Sequence, residues 1–253
     1  MRAFYNNQYR ENPYKLEGVD EALKDKTYGL LDGDARRTLD NTFIHATIVR
    51  NEPSPDGYRA VYQLFERLNT GGTNLQPQEI RVALFHGRFV GLLRELNDDK
   101  NWRHLYGKRS ERLKDQELIL RFFALFHTRK NYERPLKFFL NSYMEANQDS
   151  PESECDSNLR LFELTSESIR SGIGLRAFRI RRNLNAALCD AIMVGVADRL
   201  SRGPIADLPG LSKAYDVLLQ DAEFLASITS ATANEESVSL RLSRASKAFA
   251  RVK

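Results

Sequence analysis

The stretch FERLNTGGT (residues 65–73), followed by QPQEIR (residues 76–81), decides the fold class of this chain. Before it, apolar residues recur at helical spacing on one face: Val61, Leu64, Phe65 and Leu68. A helix is therefore predicted to end at Asn69, where Gly71 and Gly72 supply the positive φ of a helix C-terminus. Pro77 suits the first position of the next helix. The junction is predicted to be a tight corner between two helices.

The rest of the sequence is also predicted to be helical. Two brief helices are expected at 19–24 and 34–39, and longer ones over 89–97, 115–127, 135–146, 158–171, 183–201, 211–219 and 237–252. Residues 42–49 (TFIHATIV) alone have the β-branched, partly alternating pattern of a strand. The predicted fold class is mainly α, a bundle-like array of helices with at most one or two short strands.

One polar stretch divides the chain. Residues 147–157 (NQDSPESECDS) have the composition of a loop or linker. The expected organisation is a helical portion over 1–146, which carries the corner, and a C-terminal helical portion over 158–253 packed on the first.

Composition predicts a cytoplasmic globular protein. The 253 residues are 42% hydrophobic and 28% charged, with a formal net charge of +4. The two cysteines have no CxxC spacing, which argues against a disulfide framework and for a reducing compartment. No signal peptide is recognised at the start, and the most apolar run, 118–126, contains Arg121 and is too short to cross a bilayer. No membrane partner is expected.

Motifs for metal binding and catalysis are missing from the sequence. No HExxH, GxSxG or P-loop pattern occurs. The four histidines have no partner at metal-ligand spacing; these histidines are His45, His86, His104 and His127. We therefore predict no metal site and assign no catalytic residue.

Three charged residues on one apolar segment predict a structural ion pair. Asp115, Glu117 and Arg121 lie on a predicted helix that is apolar nearly all round. Such a helix is buried, so Arg121 needs a partner, and Glu117 at i−4 can reach it. A site arginine held by a carboxylate is the functional alternative.

Basic residues concentrate in two places that could follow nucleic-acid phosphates. The first cluster is Arg170, Arg176, Arg179, Arg181 and Arg182; the second, on the last predicted helix, is Arg241, Arg244, Lys247 and Arg251. A solvated polar face is the alternative for both. The corner itself could be a DNA-reading helix-turn-helix, or its polar residues could hydrogen-bond across the turn.

Several blocks of sequence together resemble the GmrSD-type restriction endonuclease N-terminal domain family. They are FERLNTGGTNLQPQEIR (65–81), ALFHG (83–87), DQELILRFFAL (115–125), FLNSYM (139–144) and Ile228-Thr229-Ser230 with Arg241. The resemblance covers most of the chain. The residues matching the family motif at the corner are Arg67, Asn69, Gly71, Gly72, Glu79 and Arg81.

The resemblance implies a bacterial defence protein that restricts foreign or modified DNA. Such proteins combine a ParB-like nucleotide-hydrolysing fold with a helical extension, often followed by an HNH nuclease. GTP or ATP with Mg is implied for the complete domain, through an Asp-Gly-Gln-Gln-Arg motif. Here residues 1–6 resemble the segment just after that motif, and residues 32–36 (DGDAR) match it poorly, so no catalytic role is transferred to them.

Three functions follow as expectations. The first is a truncated or split GmrSD-like protein that acts as helical scaffold or partner-docking part, with no cofactor of its own and with the sheet portion missing. A ParB-like or nuclease chain, or a second copy, would be its partner. The second is a DNA-binding module that uses an arginine-rich patch. The third is a self-sufficient nucleotide-hydrolysing enzyme.

Overall fold

The computed structural model describes residues 2–6, 15–16, 18–43, 57–68 and 74–253. By its internal contacts the chain separates into two compact units, Met1–Arg50 and Asn51–Lys253. The predicted fold class is confirmed, because the described residues are mainly helical and the strands among them form one two-stranded antiparallel sheet. No helix of the described residues is long and apolar enough to cross a membrane.

The described part of the first unit contains helices α1 (Arg2–Tyr5) and α2 (Gly33–Asp40). Helix α2 begins where the sequence predicts, because the Asp32 carboxylate caps it and accepts a hydrogen bond from the Ala35 amide at 2.7 Å. At its other end Asp40 accepts hydrogen bonds from the hydroxyls of Tyr5 and Tyr28, each at 3.0 Å to Oδ1.

Two predictions in the first unit have different outcomes. The brief helix expected at 19–24 is wrong: residues 21–25 form a turn, which ends at Asp25 with a φ of 58°. A residue in the left-handed region cannot continue a right-handed helix. Of the strand expected at 42–49, Thr42 and Phe43 are not in a strand, and residues 44–49 lie outside the described residues.

The second unit is an array of helices. They are α3 (Gly57–Leu68), α4 (Pro77–Leu84), α5 (Arg88–Leu96), α6 (Lys100–Tyr106), α7 (Lys114–Thr128), α8 (Leu136–Asn147), α9 (Glu152–Gly172), α10 (Ala186–Leu200), α11 (Leu208–Leu218), α12 (Ala222–Thr229) and α13 (Glu235–Phe249). Most bounds agree with prediction within a few residues. Helices α6 and α12 were not predicted, because seven and eight residues are too few for a clear periodicity.

The corner has its predicted helices on both sides. Helix α3 ends at Leu68, one residue before the predicted end, and Pro77 opens α4. The Glu79 carboxylate turns back to accept the Gln76 amide at 2.6 Å, which satisfies a donor at the start of α4. The turn itself, residues 69–73 with Asn69, Gly71 and Gly72, lies outside the described residues.

The loop expected at 147–157 is shorter in the structure. Helix α9 already begins at Glu152, after Pro151, with Glu152 and Glu154 in its first turn, where acidic residues favour a helix start. The helices on either side of this loop share one hydrophobic core, which runs from Phe85 to Val252.

A short hairpin forms where the sequence predicts a loop followed by the start of a helix at residue 183. Strand β1 (Arg179–Ile180) pairs antiparallel with β2 (Asn183–Leu184) through a two-residue turn. The first turn residue, Arg181, has a φ of 58°. Hairpin turns of this kind usually carry Asn or Gly there, so the sequence gives no turn signal.

Helix α10 lies at the centre of the second unit. Its residues from Ala187 to Ala197 are all buried, and it packs against α7, α9 and α13. Gly195 permits the close approach of α13, since a Cβ there would come within 2.9 Å of the Ala245 backbone. A charged residue in the middle of such a helix must find its partners inside the core.

Candidate functional site

Arg81 is the centre of the corner's polar contacts. Its side chain is 1% exposed. Nε donates to Asn141 Oδ1 of α8 at 2.8 Å, and Nη1 donates to Gln78 Oε1 at 3.0 Å and to Glu117 Oε2 of α7 at 2.9 Å. Arg81 therefore joins α4 to both α7 and α8 instead of bonding across the turn.

Glu79 finds its partner in the loop before α7. Arg112 Nη2 donates to Glu79 Oε2 at 2.8 Å, Nε donates to both carboxylate oxygens, and Nη2 also bonds the Asn74 carbonyl. The Arg112 hydrogen bonds lower the pKa of Glu79 below its ordinary value. Arg67, the remaining described charge of the motif, lies in the last turn of α3. Of the motif residues that were predicted to bond to one another, Glu79 and Arg81 bond to neighbouring elements instead, and Asn69 lies outside the described residues.

Three buried donors around Arg81 have no acceptor in the described part of the chain. They are Tyr62 Oη, Gln78 Nε2 and Asn141 Nδ2. Arginine only donates, so it holds both amide oxygens towards itself and turns both amide nitrogens away. Burial raises the pKa of Tyr62 to about 12, so this hydroxyl keeps its proton at neutral pH. This corner is polar, rigid and rich in donors.

Asp115 is fully buried and takes its partners from a second set of residues. Arg103 Nη1 and the Asn97 amide nitrogen donate to Asp115 Oδ2 at 3.0 and 3.1 Å, and the Ser110 amide donates to the same oxygen at 3.1 Å. Trp102 Nε1 donates to Asn97 Oδ1 at 3.1 Å. Asp115 thus fixes the start of α7 to α5 and α6.

The predicted pair between Glu117 and Arg121 is corrected by the structure. Arg121 Nε and Nη2 donate to Asp190 Oδ1 and Oδ2 of α10 at 2.9 and 2.5 Å, while Glu117 pairs with Arg81. Neighbours four apart on one helix can meet, but a carboxylate on the facing helix offers Arg121 a two-pronged contact inside the core.

A second arginine shares the same carboxylate. Arg241 of α13 donates through Nη2 to Asp190 Oδ2 at 3.0 Å and through Nη1 to the Thr232 carbonyl at 2.6 Å. Asp190 and Arg241 are each 1% exposed, and Arg121 is 12% exposed. We call these three residues the Asp190 triad. It joins α7, α10 and α13 and carries two positive charges against one negative charge.

Three arginines of the predicted nucleic-acid clusters have structural partners. The prediction that Arg241 contacts nucleic acid is wrong, because its side chain is buried in the Asp190 triad and is not accessible to a ligand. Arg179 Nη1 and Nη2 donate to the carbonyls of Leu105 and Tyr106 at 2.6 and 2.9 Å. Arg176 pairs with the Asp216 carboxylate on α11.

The other predicted arginines lie on the surface. Arg170, Arg181 and Arg182 are exposed, the last two side by side at the hairpin turn. Arg244 is partly engaged, because it pairs with Asp221 and Glu223 beside the start of α12. The structure therefore separates these arginines into a group bonded to other elements of the fold, of which Arg241 is buried, and an exposed set of Arg170, Arg181 and Arg182.

Sequence reasoning missed the residues that complete these contacts. Asp190 had a signal, since it is the single charged residue within the apolar run ALCDAIMVGVA of α10. Asn141 and Tyr62 had none, because a lone polar group on an amphipathic helix usually faces water. In the described part of the chain no group of three or more His, Cys, Asp or Glu side chains is arranged to hold a metal ion.

The Glu79–Arg112 contact predicts a pH-dependent stability. A carboxyl whose pKa is lowered by folding stabilises the protein above its unfolded value of 4.5, and this contribution is lost as the pH falls through the lower folded pKa. Glu79→Gln should cost about 1 kcal/mol at pH 7, because the pair is only partly buried. The difference from the unaltered protein should shrink steadily below about pH 4.

Thermal unfolding followed by circular dichroism between pH 3 and pH 7 measures this difference. Glu95→Gln, at an exposed position on α5, is the matched control and should leave the melting temperature unchanged. A Glu79→Gln penalty of the same size at both ends of the pH range would contradict the assignment of the contact.

Comparison with known proteins adds no identification. No family model, no curated protein and no solved structure matches this chain. The resemblance to the GmrSD-type family therefore depends on the residues that carry it, and the function that it implies stays a prediction.

Proposed function

We propose that this chain is the helical scaffold and partner-docking part of a GmrSD-like system that restricts foreign or modified DNA in the bacterial cytoplasm. In this role it acts with a ParB-like or nuclease partner chain, which supplies the nucleotide and DNA chemistry. Its own task is to hold a rigid helical body to which the partner binds.

One observation carries the proposal: the use that the protein makes of Arg81. The corner gives the strongest resemblance to the family, and its arginine is buried among side chains of α4, α7 and α8. Catalytic groups must reach a substrate, whereas the Arg81 side chain is buried and bonded to neighbouring helices. Glu79 is likewise engaged by Arg112 and by the start of α4. The contacts of Arg81 and Glu79 therefore support a role in joining helices.

The Asp-Gly-Asp string of the first unit also has a structural use. Asp32 caps α2, and its hydrogen bond from the Ala35 amide lowers the pKa of the carboxyl. A capping aspartate explains the local sequence without a nucleotide. The proposal therefore leaves nucleotide hydrolysis to the partner chain.

The scaffold role predicts that the purified chain does not turn over GTP or ATP with Mg²⁺ above the buffer rate. Phosphate release measured with a coupled colorimetric assay tests this directly. Asp32→Ala should leave that baseline unchanged, while it weakens α2 because a helix cap is lost. Steady turnover that Asp32→Ala abolishes would sink the scaffold proposal and favour the self-sufficient enzyme.

A DNA-binding module is the second candidate function, and the hairpin is the observation that favours it. Arg181 and Arg182 occupy the two-residue turn between β1 and β2 and are both exposed. Arg181 lines an open cleft of about 570 Å³ together with Arg121, whose triad has an excess positive charge. Exposed guanidinium groups beside a positively charged cleft suit a phosphate contact.

The second candidate predicts that Arg181→Glu with Arg182→Glu weakens binding to duplex DNA by about tenfold at about 0.1 M salt, because phosphate contacts are lost. Fluorescence anisotropy with a labelled duplex gives the dissociation constant. Arg94→Glu with Arg160→Glu, at exposed positions elsewhere, makes the same change in net charge and serves as control. Equal affinities for the two variants would exclude the hairpin.

A further inference from the structure

A basic groove runs along one side of α13, between this helix, the residues after α7 and the residues after α10. It encloses about 560 Å³. We call it the α13 groove. The residues that define its chemistry are Arg129, Lys130, Arg202, Ser239, Ser243 and Lys247. Of the basic residues that the sequence suggested for nucleic-acid contact, Lys247 lines the groove.

The charge of the α13 groove is strongly one-sided. Four cationic side chains line it against one carboxylate, that of Glu235, although the whole chain has a net charge of only +4. Glu235 is already engaged, because its Oε1 accepts the Arg134 amide at 2.9 Å. In the described part of the chain, Lys130, Arg202 and Lys247 have no ion-pair partner. Asp198 neutralises Arg129, and the groove thus presents the charges of Lys130, Arg202 and Lys247 against the single carboxylate of its lining.

The floor of the groove adds hydroxyl donors to this charge. Ser239 and Ser243 are exposed and lie one helical turn apart on α13. Two residues of the lining are held by Asp198, which lies outside it: Arg129 at 2.9 Å and Ser246 at 2.5 Å. Lysine, arginine and serine side chains are the groups that proteins use to contact the phosphates and sugars of nucleic acids.

The shape of the groove favours a polymer over a single phosphate ion. From Ser239 to Lys247, both in the lining, α13 rises about 12 Å at about 1.5 Å per residue. One strand of a duplex carries a phosphate every ~3.4 Å of axis, so this length can face about four of them.

The same groove favours a duplex over a single strand. Single strands are held by stacking of their bases on exposed aromatic rings. The single aromatic residue of the lining, Tyr132, is 8% exposed, and its hydroxyl donates to the Ala233 carbonyl at 2.7 Å. No ring is therefore presented to a base from the groove lining.

We propose that the α13 groove binds the phosphate backbone of duplex nucleic acid without reading its sequence. The contacts are made by Lys130, Arg202 and Lys247, with Ser239 and Ser243 donating to phosphate oxygens. This inference rests on the DNA-binding candidate function and assigns the main contact surface to α13 instead of the hairpin. It is independent of whether the chain serves as a scaffold.

The test is a salt titration of duplex binding by the full chain. Fluorescence anisotropy with a labelled duplex of about 20 base pairs gives the dissociation constant at each salt concentration. The groove variant is Lys130→Glu with Arg202→Glu and Lys247→Glu. Its charge-matched control is Arg94→Glu with Arg160→Glu and Lys213→Glu, all at exposed positions outside the groove.

The groove variant should bind at least about tenfold more weakly at about 0.1 M salt, and its slope of log affinity against log salt should fall by about 2 to 3, roughly 0.9 for each phosphate contact. The control should keep the slope of the unaltered protein. Single variants Lys130→Gln, Arg202→Gln and Lys247→Gln should each lower the slope by about 0.9, which keeps the test decisive if the triple variant unfolds.

Several results would overturn the proposal. No binding of duplex by the unaltered chain, or equal weakening of groove and control variants, would remove the groove as a site. A loss of duplex affinity in the double variant Arg181→Glu with Arg182→Glu, but not in the groove variant, would support DNA binding at the hairpin and reject the groove as the site. Equal competition by a single strand of the same length, or by ATP, would reject the duplex backbone as the ligand. The scaffold role is tested separately, by measuring GTP and ATP turnover.

Discussion

Asp190 holds the second unit together because two buried arginines depend on it. Arg121 comes from α7 and Arg241 from α13, and both meet the carboxylate of α10, the helix at the centre of the core. Removing a charge from water is costly, so each of the three groups is tolerated inside only while the others stay in place. Three helices are thereby fixed in register inside the core.

The same principle extends from the triad to the corner. Glu117, one turn before Arg121 on α7, pairs with Arg81 of α4, and Asp115 pairs with Arg103 of α6. Asp115, Glu117 and Arg121 of α7 are therefore each used to hold a different helix. The blocks that resemble the GmrSD-type family meet through these contacts, which explains their unusual density of charge in a helical core without assigning them chemistry.

The sequence predicted the helices well and their charged partners poorly. Periodic apolar residues define α3, α7 and α10, because burial of one face is a local property of the sequence. The partner of Arg121 is 69 residues away, so spacing along one helix pointed to Glu117 instead. The hairpin was missed because an arginine takes the turn position usually given to Asn or Gly. Long-range pairing and unusual turns are set by the packed structure.

The free energy of unfolding of Asp190→Asn, measured by urea denaturation, tests most directly whether these charges hold the helices together. Asparagine keeps the shape but leaves two buried arginines without their carboxylate. We expect a loss of about 3–5 kcal/mol, whereas Asp216→Asn, in the exposed pair with Arg176, should lower the free energy of unfolding far less. Equal and small losses for the two variants would contradict the account.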